Sequence, residues 1–496
     1  MGLTTEVARA GTTATERLLL SRALRGPGAL RFRLAVATAR GVRSLDRLTD
    51  TRIDPSRAGR ALLTAQPDAL GRLAARLEHG CALVSATNGK TTTTNLLASI
   101  VRAAGLGPVV NHVGANMPGG ICAELLAGAR WSATADIGVF EVDELWLDHV
   151  VPPLVPRVIV LGNLFRDQLD RMGEIDRVAA RWRAFVARLD TRTVLVVNAD
   201  DPRVCQLTAG HSRIVHFGLD ACDREAPAPG GDQATCLRCA GRFAYDGAHI
   251  AHLGRWRCTG CGDRRPDRLE VEARDVELHG THGVSFTLDV EPVRPDGIGG
   301  GDTTGPRSER IVLGLPGRFN VANAAAAAAA ALAMGCTTHH VVTGLGGAKG
   351  AFGRAERLSI AGREVVQILA KNPSGLDEIV TMLVAAGRPL DLLFVLNDRD
   401  LDGRDVSWIW DADVERIAPL VMRATCGGSR AAEAAMRLDY AGVDPCAIEV
   451  VDGIAEPLSR ALARARGPIH AVTNYSAMLD LRETVAEQGH AKRYWS

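Results

Sequence analysis

The chain has 496 residues, which exceeds the size at which one hydrophobic core keeps growing, so two or three domains are expected. Hydrophobic residues make up 46% and charged residues 23%, close to globular averages, which excludes a largely disordered chain. The net charge of +1 excludes strong global attraction to nucleic acid, and no apolar run reaches the roughly 18 residues of a membrane-spanning helix.

The first 50 residues are basic, with nine arginines against four acidic residues. Between Leu30 and Leu48, apolar residues recur at helical spacing beside arginines, which predicts a helix. Such a helix packs on its own domain or, as the alternative, contacts anionic lipid at the inner face of the plasma membrane. We treat residues 1–55 as a basic N-terminal segment.

From about Arg60, buried strands alternate with helices. This alternation predicts an α/β fold with a parallel sheet, whose ligands bind at the carboxyl ends of the strands. A helix is expected at 93–104, after the first strand. The predicted strands are 82–85, 137–140, 158–161 and 194–197.

Residues 220–310 interrupt this alternation with cysteines, short strands and a loop rich in glycine and proline. The alternation resumes near Gly314, and the alanine run 324–333 predicts a closely packed helix. A second α/β unit begins near Gly353, with strands at 365–369, 392–396 and 470–472. We therefore expect a central domain over 56–352 and a smaller C-terminal domain over 353–496.

A candidate phosphate-binding loop follows the first strand. A strand is followed by the sequence T-N-G-K-T-T and then by a helix. In this arrangement, backbone N–H groups and the helix N-terminus attract phosphate. Lys90 is placed to reach the outer phosphates, and the Thr91 hydroxyl to bind Mg²⁺. The strict motif would need a glycine where Val84 stands, so the placement between strand and helix supports the assignment. The candidate nucleotide ligands are Thr87, Asn88, Gly89, Lys90, Thr91 and Thr92.

Two C-x-x-C pairs, separated by 18 residues, match a four-thiolate zinc pattern. Because four protein ligands leave no open position, a structural zinc in a ribbon at about 233–265 is expected. Free buried cysteines are the alternative. Neighbouring arginines and aromatics are also compatible with nucleic-acid binding, which we consider less favoured than a brace for the fold. The ligands are Cys236, Cys239, Cys258 and Cys261.

Six stretches in order resemble the Mur ligases, peptidoglycan precursor synthetases that activate a carboxylate as an acyl phosphate. The resemblance implies a central P-loop ATPase domain followed by a smaller α/β domain, and it implies ATP and Mg²⁺. It places Lys90 and Glu141 in catalysis, with Glu141 on Mg²⁺, Asn320 and Asn323 near adenine, and Arg354 at the nucleotide. The stretches are 86–93, 141–144, 163–173, 198–201, 317–323 and 353–357.

The chain departs from the amino-acid-adding members of this family. They commonly hold a second metal with a carbamylated lysine, but this chain has no lysine between Lys90 and Lys349. Arg181 or Arg183 lies near its expected place, and Gln168 replaces a histidine of the family motif.

The stretches 165–171, 371–375, 397–398 and 402–411 resemble a branch of the family that amidates a carboxylate with ammonia. This resemblance implies ATP-dependent conversion of the D-Glu α-carboxylate of the lipid II stem peptide to D-isoglutamine. It implies a heterodimer with a GatD-type glutamine amidotransferase subunit that supplies ammonia. Asp405, with Asp402 as second choice, is expected to complete the partner's Cys–His catalytic set. The alternatives are an amino-acid-adding Mur ligase, a folylpolyglutamate synthetase-like ligase, or a non-catalytic zinc-ribbon scaffold.

Overall fold

The computed structural model describes residues 27–48, 56–111, 114–128, 136–165, 175–220, 235–293, 305–348, 354–400 and 402–490. Several positions singled out in the sequence lie outside these ranges: residues 1–26, residues 166–173 of the stretch 163–173 including Gln168, and Gly353.

The central sheet has nine strands. Its seven parallel members are β2 (Pro108–Val110), β3 (Ile137–Glu141), β1 (Cys81–Ser85), β4 (Val158–Leu161), β5 (Val194–Asn198), β6 (Ile214–Leu219) and β9 (Val271–Leu278), in that spatial order. The antiparallel strands β10 (Val284–Val290) and β11 (Arg307–Leu313) complete the edge beyond β9. The predicted α/β class is confirmed, and the four predicted strands match β1, β3, β4 and β5 to within one residue at either end.

Helices cover both faces of this sheet, which explains why β1, β3 and β4 are buried along their whole length. The helices are α1 (Pro27–Leu48), α2 (Arg57–Ala65), α3 (Ala69–Ala74), α4 (Lys90–Ala103), α5 (Pro118–Gly128), α6 (Leu147–Leu154), α7 (Ile175–Val186), α8 (Pro202–Thr208), α9 (Arg318–Ala333) and α10 (Thr338–Gly346). The alanine run is confirmed as part of α9, whose small side chains are buried against α4 and the sheet.

Helix α4 begins at Lys90, three residues before the predicted start at Thr93. Thr91 and Thr92 belong to the T-N-G-K-T-T motif and were therefore predicted as loop residues. In the fold the threonines are buried, and their hydroxyls gain partners: Thr91 Oγ1 donates to Glu141 at 2.7 Å. The last residues of the phosphate-loop motif therefore form the first turn of α4.

The basic N-terminal region contributes a helix to the central core. In α1, Phe32, Val36 and Ala39 are buried against neighbouring helices, while Arg33 and Leu34 are exposed. Within the part of the chain that the structure describes, no helix is both long and apolar enough to cross a membrane.

A separate two-stranded hairpin, β7 (Phe243–Ile250) and β8 (Leu253–Cys258), follows β6 in the chain. Its two strands pair antiparallel, and Ile250 lies opposite Leu253 at the turn. We call residues 235–265 the cysteine hairpin.

The C-terminal sheet has six strands in the spatial order β12 (Arg354–Ile360), β13 (Arg363–Leu369), β17 (Ile469–Thr473), β14 (Leu390–Val395), β15 (Val421–Gly427) and β16 (Ile448–Val450). All neighbours except β12 and β13 pair in parallel. Its helices are α11 (Pro373–Ala386), α12 (Ala431–Tyr440), α13 (Ala455–Arg464) and α14 (Tyr475–Glu487). The three strands predicted for this part lie on β13, β14 and β17, although β14 ends one residue earlier than expected.

Candidate active site

The loop between β1 and α4 lies at the carboxyl ends of the central parallel strands. The segment after β4 braces it, because the Asn88 amide donates to Asn163 Oδ1 at 2.9 Å and Asn163 Nδ2 donates to the Asn88 carbonyl at 3.0 Å. The backbone amide of Thr87 also donates to the Asn163 carbonyl at 2.9 Å. The loop is therefore held in shape by a second strand end.

Gly89 makes the turn from loop to helix in a left-handed conformation, with φ at 86°. A Cβ at this position would lie 2.1 Å from Asn323 Oδ1, so the absence of a side chain lets α9 approach the loop. Asn323 in turn accepts from Thr93 Oγ1 at 3.3 Å and donates to Asn320 Oδ1 at 3.1 Å. The two predicted asparagines thus lie against the phosphate loop.

Lys90 is buried at the start of α4, with Nζ 2.7 Å from Glu144 Oε2. Burial lowers the pKa of Lys90, but the carboxylates of Glu144, Glu141 and Asp143 outweigh this and raise its pKa overall. Lys90 consequently carries its positive charge at neutral pH. A buried cation beside the loop can attract the outer phosphates of a nucleotide.

Glu141 ends β3 and faces the same helix. Its Oε2 accepts from Thr91 Oγ1 at 2.7 Å, and its backbone amide donates to Asn111 Oδ1 at 2.8 Å, which fixes the strand end. A carboxylate and a hydroxyl are oxygen donors of the kind that Mg²⁺ prefers. The residues therefore fit a magnesium ion beside the phosphate loop.

The C-terminal sheet contributes to the site through the residues after β13. Asn372 Nδ2 donates to Asn88 Oδ1 at 3.0 Å, and Asn88 Nδ2 donates to Ser374 Oγ at 3.2 Å. Asn372 also caps α11 by accepting from the amide of Gly375 at 2.9 Å. The phosphate loop is thus bonded directly to the N-terminus of α11.

A cleft lies between the two sheets at this junction. One part of its lining is polar and includes the backbone of Gly89 with the side chains of Asn88 and Lys371. The other part is apolar, formed by Phe165, Ile250, Leu253, Phe319, Ile379 and Met382. A polar part beside a phosphate loop and an apolar part for a flat ring together suit a nucleotide.

The four predicted zinc ligands come together at the base of the cysteine hairpin. Their sulfurs all lie within 4.8 Å of one another, with Cys236 to Cys261 at 3.7 Å and Cys239 to Cys258 at 3.4 Å. A tetrahedral Zn²⁺ with bonds of about 2.3 Å would separate its sulfurs by about 3.8 Å. The sulfurs therefore fit one zinc ion. Gln206, on α8, donates to Cys236 Sγ at 3.1 Å and supports the cluster from the central core.

The predicted aspartates of the loop after β14 have different surroundings. Asp402 is buried and accepts from the Ser476 amide at 2.8 Å at the start of α14. Asp405 is exposed and accepts from the Ser407 amide at 2.8 Å, and hydrogen bonds to Ser407 lower the pKa of its carboxyl. Asp405 is not among the residues that line the cleft.

Most predicted nucleotide ligands gather at one place, and several residues that bond to them or line the same cleft were not predicted as site residues. Arg354 begins β12, but its side chain lies outside the described residues. The missed residues each follow a buried strand, which is the signal that could have found them: Glu144 after β3, Asn163 after β4, and Lys371, Asn372 and Ser374 after β13.

Comparisons with known proteins agree with this geometry. Residues 84–228 match the Mur ligase middle domain, and residues 369–478 match the MurT ligase C-terminal domain. Subunit MurT of the glutamine-hydrolysing lipid II isoglutaminyl synthase of Streptococcus pneumoniae is 31% identical over 87% of this chain and 92% of its own length.

Solved structures share the fold. MurF from Acinetobacter baumannii superposes with a TM-score of 0.60 at 20% identity, over 87% of this chain and 80% of that one. MurF from Thermotoga maritima, solved in complex with ADP, gives 0.58 at 13% identity, over 85% and 83%. Fold and site together define a Mur-type ligase, with a nucleotide-binding central domain and an α/β C-terminal domain. Within that class, the chain belongs to the MurT family.

Proposed function

We propose that this chain is the synthetase subunit that amidates the D-Glu α-carboxylate of the lipid II stem peptide, forming D-isoglutamine at the expense of ATP. The observation that carries the proposal is the phosphate loop with its buried Lys90–Glu144 and Thr91–Glu141 pairs, bonded through Asn88 to a C-terminal domain of MurT type. The identity of the substrate is inferred from relatives that are named lipid II isoglutaminyl synthase subunit MurT.

The cleft is the proposed ATP site. The phosphate groups of ATP would lie on the backbone from Thr87 to Thr92, and the adenine base would lie against the apolar lining. The MurF with ADP supports a nucleotide in this fold. Mg²⁺, held by Thr91 and Glu141, would neutralise charge on the phosphates.

Two displacement steps complete the reaction. A carboxylate oxygen of the substrate bonds to the γ-phosphorus as the bond to the ADP oxygen breaks, giving an acyl phosphate. The ammonia nitrogen then bonds to the carbonyl carbon, the bond between that carbon and the bridging phosphate oxygen breaks, and the nitrogen loses a proton that the departing phosphate can accept. Lys90 stabilises negative charge in the first step, because it is buried and protonated.

The S. pneumoniae relative is named as a subunit of a glutamine-hydrolysing synthase. We therefore propose a GatD-type glutamine amidotransferase as partner and source of ammonia. Asp405 is the proposed carboxylate for the partner's Cys–His set, because it is exposed whereas Asp402 is buried and engaged by Ser476. A carboxylate in that role orients the histidine and stabilises its cation.

The proposal also includes the domain boundaries and a structural metal ion. The central domain extends over 56–352 and the C-terminal domain over 353–496. A structural Zn²⁺ on the cysteine hairpin is supported by the sulfur spacing. An amino-acid-adding ligase is disfavoured by the lysine gap between Lys90 and Lys349 and by the MurT match of the C-terminal residues.

Replacing Lys90 tests the proposal. In the complex with partner, lipid II, glutamine and ATP, Lys90→Ala should lower amidation by at least about 100-fold, because the buried positive charge at the phosphates is lost. Product would be followed by mass spectrometry of the stem peptide. Arg102→Ala, an exposed change on the same helix, is the matched control and should keep the wild-type rate. Wild-type amidation by the Lys90 variant would refute the loop assignment.

A further inference from the structure

The cysteine hairpin does more than close a metal site, because its far end reaches the cleft. The sulfurs hold the base of the hairpin, and the strands β7 and β8 carry the chain from there to the turn at Ile250 and Leu253. Both side chains line the cleft. They form one apolar cluster with Phe165, against which Phe319 of α9 also packs. We call Ile250 and Leu253 the hairpin wall.

The middle of the hairpin is fixed to the turn after β5. Asp200 is fully buried and pairs with His249 at 3.0 Å and with Arg265 at 2.7 Å. The Asp200 carbonyl accepts from the Gly254 amide at 3.0 Å, and the Trp256 indole donates to the Ala199 carbonyl at 2.9 Å. The hairpin is thus bonded to the central domain on both of its strands.

The same turn also positions the segment that braces the phosphate loop. Asp201 Oδ2 accepts from the Leu164 amide at 2.9 Å and lies 3.5 Å from His252 Nε2 at the hairpin turn. His252 stacks edge-on against Phe165, with ring centroids 4.8 Å apart. Two adjacent aspartates therefore fix the position of the hairpin wall relative to the segment after β4 that braces the phosphate loop.

We propose that the cysteine hairpin is part of the nucleotide site: Ile250 and Leu253 contact the base and sugar of ATP, and the metal-holding cysteines keep them in place. The inference rests on the proposed function, since it assumes that the cleft binds ATP. The hairpin then contributes to the affinity for the nucleoside part of ATP, whereas the loop between β1 and α4 binds the phosphates. Loss of the wall should raise the KM for ATP without lowering kcat.

Binding of two probes separates these contributions. In the complex of the full chain with its partner, calorimetry would measure Kd for MgATP and for magnesium tripolyphosphate, which lacks the nucleoside. The double variant Ile250→Ala with Leu253→Ala should bind ATP about tenfold more weakly, with tripolyphosphate affinity within about twofold of wild type. Asp246→Ala is the matched control, because Asp246 is exposed on strand β7 of the same hairpin and does not line the cleft. It should leave both values unchanged.

A second variant tests the metal directly. Cys239→Ser, at an exposed cysteine, should lower the zinc content measured by mass spectrometry and weaken ATP binding, while tripolyphosphate binding persists. Wild-type ATP affinity in both the wall variant and a zinc-depleted Cys239 variant would overturn the inference. Failure of the wild-type chain to bind ATP or tripolyphosphate would instead overturn the proposed function itself.

Discussion

At the scale of single residues, the site depends on how closely a backbone and a side chain approach each other. Gly89 has room for hydrogen alone because Asn323 stands where a Cβ would be. The asparagine is held there by Thr93 and Asn320. This contact joins the phosphate loop to α9 and sets the spacing between the two helices that begin at the cleft.

We expect Gly89→Ala to abolish ATP binding, because the methyl group would displace either Asn323 or the loop. Gly105→Ala is the matched control: it has a similar φ of 81° at the other end of α4 but no atom within 4 Å of the added Cβ. Both variants should lose about 1–2 kcal/mol of stability from backbone strain. Only the first should lose ATP affinity, measured by calorimetry. Equal ATP affinity in the two variants would show that the close approach is irrelevant to binding.

The charges around Lys90 also act at this scale. The pKa of Asp143 is raised by burial and by Glu144, although Lys90 opposes both. The pKa of Lys90 is raised, so protonation of this lysine persists from acidic to neutral and mildly alkaline pH. The positive charge that we propose binds phosphate is therefore insensitive to pH across the physiological range.

At the scale of elements, the N-terminus of α11 links the two sheets. Asn372 performs two tasks there: it caps the helix through the Gly375 amide, and it bonds to Asn88 in the phosphate loop. A helix N-terminus also favours negative charge, so α11 adds a second attractive dipole beside the cleft.

Comparing Asn372→Ala with Thr337→Ala, which removes the cap of α10, should distinguish the effect of helix capping from the effect of the bond to Asn88. Loss of either cap should cost about 1 kcal/mol of unfolding free energy, measured by denaturant titration. Only Asn372→Ala should raise the KM for ATP, because only this change releases the loop from the C-terminal domain. If both variants had the wild-type KM, the bond to Asn88 would have no part in nucleotide binding.

At the scale of the whole molecule, the proposed chemistry is divided between two places. The phosphate loop and cleft lie where the sheets meet, whereas the exposed side chain of Asp405 lies in the loop after β14 and outside the cleft lining. This separation suits a subunit that activates the carboxylate itself and completes the ammonia-producing site of its partner.

Asp405→Asn should therefore abolish amidation with glutamine but leave amidation with added ammonium chloride near the wild-type rate. The carboxylate that orients the partner's histidine is lost, while the ATP site is untouched. Asp411→Asn, an exposed change in the same loop, is the control and should retain both activities. Parallel loss of glutamine-dependent and ammonia-dependent amidation would place Asp405 in the synthetase reaction instead.

Much of the fold was readable from local patterns. The strands of the parallel sheets are short apolar runs that are buried on both faces, and the alanine run could only be a packed helix. The start of α4 was misjudged because the threonine hydroxyls find their partners on other elements. Glu144, Asn163 and Asn372 were missed as site residues because each joins the site only through a hydrogen-bond partner more than 50 positions away in the chain.

The sequence by itself determined the α/β class, the phosphate loop, the cysteine cluster and the ligase family, because each is encoded by residue types at short fixed spacings. The tertiary structure alone decided which side chains meet. It brought Asn372 onto the phosphate loop, buried Asp402 while exposing Asp405, and placed Ile250 and Leu253 in the lining of the cleft between the sheets. These contacts depend on how two sheets and a hairpin pack together, and packing of elements distant in the chain is not encoded in local periodicity.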